Sequence, residues 1–319
     1  MLLQQMLNHG ETLLRKGASD TVIYETLQNY IHHPDISPEE GREWLFTSLY
    51  RLGAYTYAIE HVSPLLLEKE YIRLQYAECL IRTGQFQAAL QALENWMMSL
   101  ASEQDTTKLH SQLELWVKLC RLAEIVVPQG SNPEAVLASN ALPLDQTQAL
   151  METAVKMGVL PVASALASSN DFLRDDYILV LYKEGYVELA RLELERIGKE
   201  KLSEDGTSHR HARYIYAEIL HDDGHFEEAA RIFERIAEQF PDMARARFGA
   251  CSCYLHTVMN RLTRRIELYR PDRKEQGIIE RHLDDISRAL NIIYETKWHT
   301  VWSATQSRNL PIPASKMLQ

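Results

Sequence analysis

The chain is poor in the residues that interrupt helices, with 13 Gly and 11 Pro among 319 residues, well under the usual share of about 12%. That argues against turn-dense β-structure and collagen-like repeats, and leaves helix as the default. Cysteine is also scarce. The four residues Cys79, Cys120, Cys251 and Cys253 form no C-x-x-C pair, which excludes a disulfide scaffold and reads as a reducing, cytoplasmic setting. No run approaches the roughly 18 apolar residues of a membrane span, and the best local cluster, at Ile125, stops at Pro128. The first residues show neither the basic start nor the apolar stretch of a signal peptide. G-x-G-x-x-G, P-loop, G-x-S-x-G and H-E-x-x-H motifs are all missing, so the sequence reads as a non-enzyme without cofactor or metal. With 44 Asp and Glu against 34 Lys and Arg, the net charge of -10 repels nucleic acid and anionic membrane at long range.

What is present is an ordinary globular composition, 45% hydrophobic and 24% charged, arranged as an internal repeat. Gly53, Gly84, Gly185 and Gly224 mark the register. Four residues before each stands Leu49, Leu80, Leu181 or Leu220, and eight before stands Leu45, Tyr76, Tyr177 or Tyr216. Two residues after come Tyr55, Phe86, Val187 and Phe226; five after, Ala58, Ala89, Ala190 and Ala229; nine after, Val62, Leu93, Leu194 and Phe233. A weaker fifth copy centres on Gly158, with Leu160 and Ala163 in place but Met151 and Ala154 at the earlier offsets. Large apolar residues four apart share one helix face. The Gly then turns the chain, and the small Ala lets a second helix come close. One such hairpin buries only one face, so neighbours must stack into a solenoid.

These residues resemble the tetratricopeptide repeat family. The fullest copy holds Tyr216, Ala217, Leu220, Gly224, Phe226, Ala229, Phe233 and a closing Pro241, whereas the copies at Gly53 and Gly185 carry Phe46 and Ile178 where the family prefers a small residue. The resemblance implies an all-α, right-handed solenoid of helical hairpins that binds proteins. Over roughly the first 95 residues, the Ser37-Pro38 break, the hairpin at Trp44 and the stretch Gln75-Tyr-Ala-Glu-Cys79 are similar to the N-terminal dimerising region of the tetratricopeptide subunits of the anaphase-promoting complex. That likeness implies a homodimer through the N-terminal hairpins, and a nuclear setting if the chain serves a cell-cycle complex.

The expected organisation is N-terminal hairpins over 1–127, a Pro-containing hinge over 128–144, further repeats over 145–243, capping helices over 244–308 and a mobile tail over 309–319. A first degenerate hairpin turns at Gly17, and Leu109, Leu113, Trp116, Val117 and Cys120 mark a helix face between the copies at Gly84 and Gly158. In the capping region Phe248, Cys251, Leu255, Val258 and Leu262 fall on one face of a helix over 243–265. A second helix is expected over 277–299.

In the family, first helices line the concave surface. Register then assigns a partner-binding groove to Tyr50, Leu74, Glu78, Ile81, Leu179, Tyr182, Tyr214 and Glu218, with Glu43, Thr47, Asp175 and His221 at the same offsets. Acids and aromatics stand where chaperone-binding members carry Lys, Arg and Asn. The expected partner is therefore a helix or extended peptide held by exposed apolar and aromatic contacts. Arg261, Arg264, Arg265, Arg270, Arg273 and Lys274 face only Glu267 and Asp272 between 261 and 274. This basic patch could take an acidic partner or RNA, yet Tyr269 is its single aromatic for base stacking, and pairing with the acidic body accounts for it more simply. His209, His211, His221 and His225 read as solvated turn residues, and Cys251 and Cys253, about 200° apart on a helix, as buried thiols. Function therefore reads as a scaffold or adaptor subunit. The competing readings are a ligand-sensing regulator that moves about the hinge and an RNA-associated repeat protein.

Overall fold

A computed structural model describes residues 2–31, 37–100, 107–129, 142–198, 201–202, 209–269 and 271–302. Among the described residues there are fifteen α-helices, one 3-10 turn and no strand. The chain divides into two units, Met1–Ser169 and one beginning at Asn170. Most of the expected hinge, the expected tail, Arg270 and most of the polar loop before the repeat at Gly224 lie outside the described residues.

In the first unit the helices are α1 (Leu2–Arg15), α2 (Asp20–Ile31), α3 (Pro38–Leu52), α4 (Tyr55–Glu60), α5 (Glu70–Arg82), α6 (Phe86–Leu100), α7 (Thr107–Gln129), α8 (Leu144–Lys156) and α9 (Leu160–Ser168). Successive helices pack against one another. Their core holds Ile23, Leu27, Leu45, Phe46, Leu49 and Ile72. α3 starts at a capping box, Ser37 accepting from the Glu40 amide while the Glu40 carboxylate accepts from the Ser37 amide. α7 buries Leu113, Trp116, Val117 and Cys120 as the sequence predicts. It runs on through Pro128 to Gln129, so the first two residues of the expected hinge are helical.

The second unit contains α10 (Asp171–Lys183), α11 (Val187–Ile197), α12 (Arg210–Asp222), α13 (Phe226–Gln239), α14 (Ala244–Tyr269) and α15 (Arg273–Trp302). Here too packing follows chain order, and α12 also lies directly on α10.

The turn between paired helices is the same at every marker. Gly53, Gly84, Gly158, Gly185 and Gly224 have φ between +76° and +87°, as Gly17 does at +75°. The amide after each Gly reaches back to a carbonyl five residues earlier: Ala54 to Leu49, Gln85 to Leu80, Val159 to Ala154, Tyr186 to Leu181 and His225 to Leu220, at 2.8–3.0 Å. The Gly amide itself bonds three residues back, as from Gly84 to Ile81. This pair of bonds is the Schellman motif, which satisfies two orphan carbonyls and requires the left-handed conformation that Gly adopts at least cost. Just beyond, Ala58, Ala89, Ala163, Ala190 and Ala229 are wholly buried where the two backbones approach.

Two expectations fail in the helices. Val62 should sit on the second helix of its hairpin, but α4 stops at Glu60 after six residues. Pro64 explains the stop, because it disfavours helical backbone at Ser63 and cannot donate to a helix. In α14 the buried residues are Ala246, Gly249, Ala250, Ser252 and Cys253, while Cys251 and Val258 are exposed. The expected face is out of phase because small residues, rather than the large apolar ones, let α14 lie close on Phe233 of α13. A Cβ at Gly249 would come within 2.8 Å of that ring.

Candidate functional site

The sequence-assigned groove residues fall in both units. In the first, α3 and α5 bring Tyr50 to Glu78, and the tyrosine hydroxyl donates to Glu78 Oε2 at 2.8 Å. Glu78 Oε1 accepts from Arg82 Nε, also at 2.8 Å, and the Arg82 guanidinium lies 5.2 Å over the Tyr55 ring. Burial, then the charge on Glu78, pushes the Tyr50 hydroxyl pKa up, so it stays a donor. Ile81 is buried and Leu74 half-buried. Glu43 receives hydrogen bonds from Lys69 and Tyr71, which hold its carboxyl below the usual range. The row of acids and aromatics that register aims at a partner is thus largely spent on bonds between neighbouring hairpins.

The second unit repeats the arrangement. Tyr182 of α10 donates to Asp222 of α12 at 3.3 Å. Burial, followed by the charges of Glu218 and Asp222, raises its pKa. Tyr214 is buried edge-on against Phe233, with centroids 5.6 Å apart, and burial together with Glu218 drives its pKa well up. Leu179 and Tyr182 stay half-buried. The expectation that Ile81 and Tyr214 are exposed anchors is therefore corrected. Both are packed inside, because their first helices lie close enough to neighbouring helices to cover them.

Asp175, another first-helix acid, caps α12 from α10. Its carboxylate accepts from the His211 amide at 2.9 Å and the Ala212 amide at 2.7 Å. The residue at the cap position, His209, has φ +58° and no capping side-chain bond, so Asp175, an acid distant in sequence, takes over that role. His211 Nδ1 meets Asp176 at 2.8 Å. His221 is not a solvated turn residue. It packs edge-on to Phe226 and His256 and lies 3.1 Å from Ser252 Oγ, while His256 stacks on Phe226 and meets the Tyr294 hydroxyl at 2.9 Å. No three His, Cys, Asp or Glu side chains come together as a metal site among the described residues. Cys79 and Cys120 are buried thiols pushed up to about 12, first by burial. Cys253 is buried as well, but Cys251 is exposed, one helical step round from the packed face.

In the basic segment Arg261 pairs with Glu227 at 2.9 Å and Arg265 with Glu275 at 2.8 Å. The Asp272 carboxylate accepts from the Lys274 and Glu275 amides and caps α15. Arg264 and Arg273 are exposed.

Sequence reasoning missed Arg82, although its i, i+4 spacing from Glu78 signals the pair. It also missed the role of Asp175, for which no local signal exists. The tetratricopeptide repeat family matches residues 210–235, which covers α12 and most of α13. Neither a curated protein nor a solved structure matches the chain, so the N-terminal likeness to the anaphase-promoting complex gains no support. No described helix is long and apolar enough to cross a membrane.

Proposed function

We propose that this chain is a non-enzymatic scaffold or adaptor that holds a protein partner on the first-helix surface of its repeats. The observation that carries the reading is the side-by-side packing of α10 and α12, the second of which lies within the tetratricopeptide match at 210–235. This packing leaves Leu179 and Tyr182 partly open beside the exposed Asp222, while Glu218 is buried. An apolar and aromatic strip with a carboxylate at its edge suits a helix or extended peptide with apolar anchors and a basic flank. The N-terminal hairpins, with exposed Leu14 and Val22, are proposed to pair two copies, which light scattering would read directly.

Leu179→Glu places a charge in the strip at a half-buried position and leaves the buried Tyr214 unsubstituted. It is expected to leave helicity and melting nearly unchanged and to weaken a purified partner's binding at least tenfold, about 1.4 kcal/mol. Unchanged affinity in a folded variant would remove the strip from consideration.

A further inference from the structure

The early end of α4 leaves a second feature in the first unit. Where the other complete hairpins continue their second helix, as α6 does for 15 residues, the chain leaves α4 and passes through a 3-10 turn at Leu66–Glu68. Beside that turn lies an open pocket of about 350 Å³, walled by Leu67, Arg73, Tyr76, Ala92, Leu93 and Trp96. This volume lies at the lower end of ligand-sized pockets, enough for one or two bulky apolar residues.

Its lining is apolar apart from one cation and a few small polar groups. The Arg73 guanidinium lies 5.4 Å over the Trp96 ring. It also holds the turn in place, Nε donating to the Leu67 carbonyl and Nη2 to the Glu68 carbonyl, the latter at 3.0 Å. Both acceptors are neutral. Among the described residues no carboxylate pairs with Arg73, although the chain as a whole carries ten more acids than bases. An apolar cavity with one uncompensated, pre-oriented guanidinium on its wall is complementary to a group that joins a bulky apolar side chain to an anion on a single carbon.

We infer that this pocket is a binding site for the apolar C-terminal residue of a partner chain, the side chain entering against Leu93 and Trp96 and the terminal carboxylate accepting from Arg73. The inference rests on the reading of the chain as a protein-binding scaffold, but it concerns a site apart from the strip at Leu179. An aromatic or branched side chain loses apolar surface to the pocket. The carboxylate, unlike an internal peptide bond, supplies the charge that Arg73 lacks.

The test uses the full chain, with N-acetyl-Gly-Gly-Gly-Phe as the free acid and as the carboxamide, followed at the Trp96 indole N–H by NMR, the signal being assigned with Trp96→Phe. The free acid is expected to shift that signal and to bind at least tenfold more tightly than the carboxamide. Arg73→Gln should abolish the difference between the two peptides. Ala92→Leu, which fills the cavity while keeping both the turn and the guanidinium, should abolish binding of either peptide with no loss of melting temperature. Equal affinities of acid and amide for the wild-type chain would show that an apolar side chain alone is bound and overturn the inference. So would binding retained by Ala92→Leu, or no shift with either peptide. None of these results bears on Leu179→Glu, so the two sites stand or fall separately.

Discussion

At the scale of single residues, close approach is set by what is small. Gly249 sits in the interior of α14, where Gly weakens a helix by about 1 kcal/mol relative to Ala. The wholly buried Phe233 ring leaves no space for a Cβ at that position. Gly249→Ala therefore sets a gain in helix propensity against overpacking of about 1 to 3 kcal/mol. The packing cost should win, because a ring buried on all sides cannot swing away. A net loss of stability is expected in urea denaturation; a more stable variant would mean that α14 can slide off α13. The same logic made the Ala at each hairpin legible from sequence, since those five positions recur at a fixed offset. Gly249 was not legible, because it occurs once and outside the repeat.

At the scale of elements, the hairpins were legible wherever the chain supplied its own signal. The φ values of the marker glycines and the amides that follow them obey local rules, which a sequence states openly. What escaped were decisions taken between elements. Tyr50, Ile81 and Tyr214 have first-helix offsets, and offset alone aims them at a partner; whether a neighbouring helix covers them depends on how closely the helices pack. The length of α4 could have been read from Pro64, but the pocket it leaves depends on Leu67 and Trp96 meeting in space. The contact between α14 and α15 adds a titrating element. His256 lies between Phe226 of α13 and Tyr294 of α15, and faces His221 of α12; Asp222 and Glu218 act on Tyr294 from α12. Burial first, then the charge of His221, lowers the His256 pKa from 6.5. The unfolded chain therefore takes up a proton that the folded chain refuses, and stability present above pH 6.5 is lost as pH falls from 6.5 through the lowered folded-state pKa. The wild-type chain should lose more melting temperature between pH 7.5 and 5.5 than His256→Phe, which keeps the stack on Phe226 without a titrating nitrogen. Parallel losses would place the acid sensitivity elsewhere.

At the scale of the whole molecule, the balance of charge decides which polymers can approach. A net charge of -10 opposes an RNA phosphate backbone that comes within about a Debye length, about 8 Å at physiological salt, and is screened beyond it. The segment around Arg261 to Lys274 opposes that field, and two of its cations are engaged. Arg261 pairs with Glu227 and Arg265 with Glu275. Exposed pairs of this kind add about 0 to 1 kcal/mol each to stability. Their consequence is electrostatic, since each neutralises a charge that RNA would otherwise meet. Arg264, Arg273 and Lys274 remain exposed, too few for the six or more phosphate contacts that give steep salt dependence. Single-stranded RNA should therefore form no saturable complex at physiological salt in a gel-shift titration. The double reversal Arg264→Glu, Arg273→Glu should leave both the partner's affinity and the melting temperature within error of wild type, because neither residue belongs to a packed face. A saturable complex that weakens steeply with salt and disappears in the double reversal would instead make the basic segment the functional surface and displace the strip at Leu179.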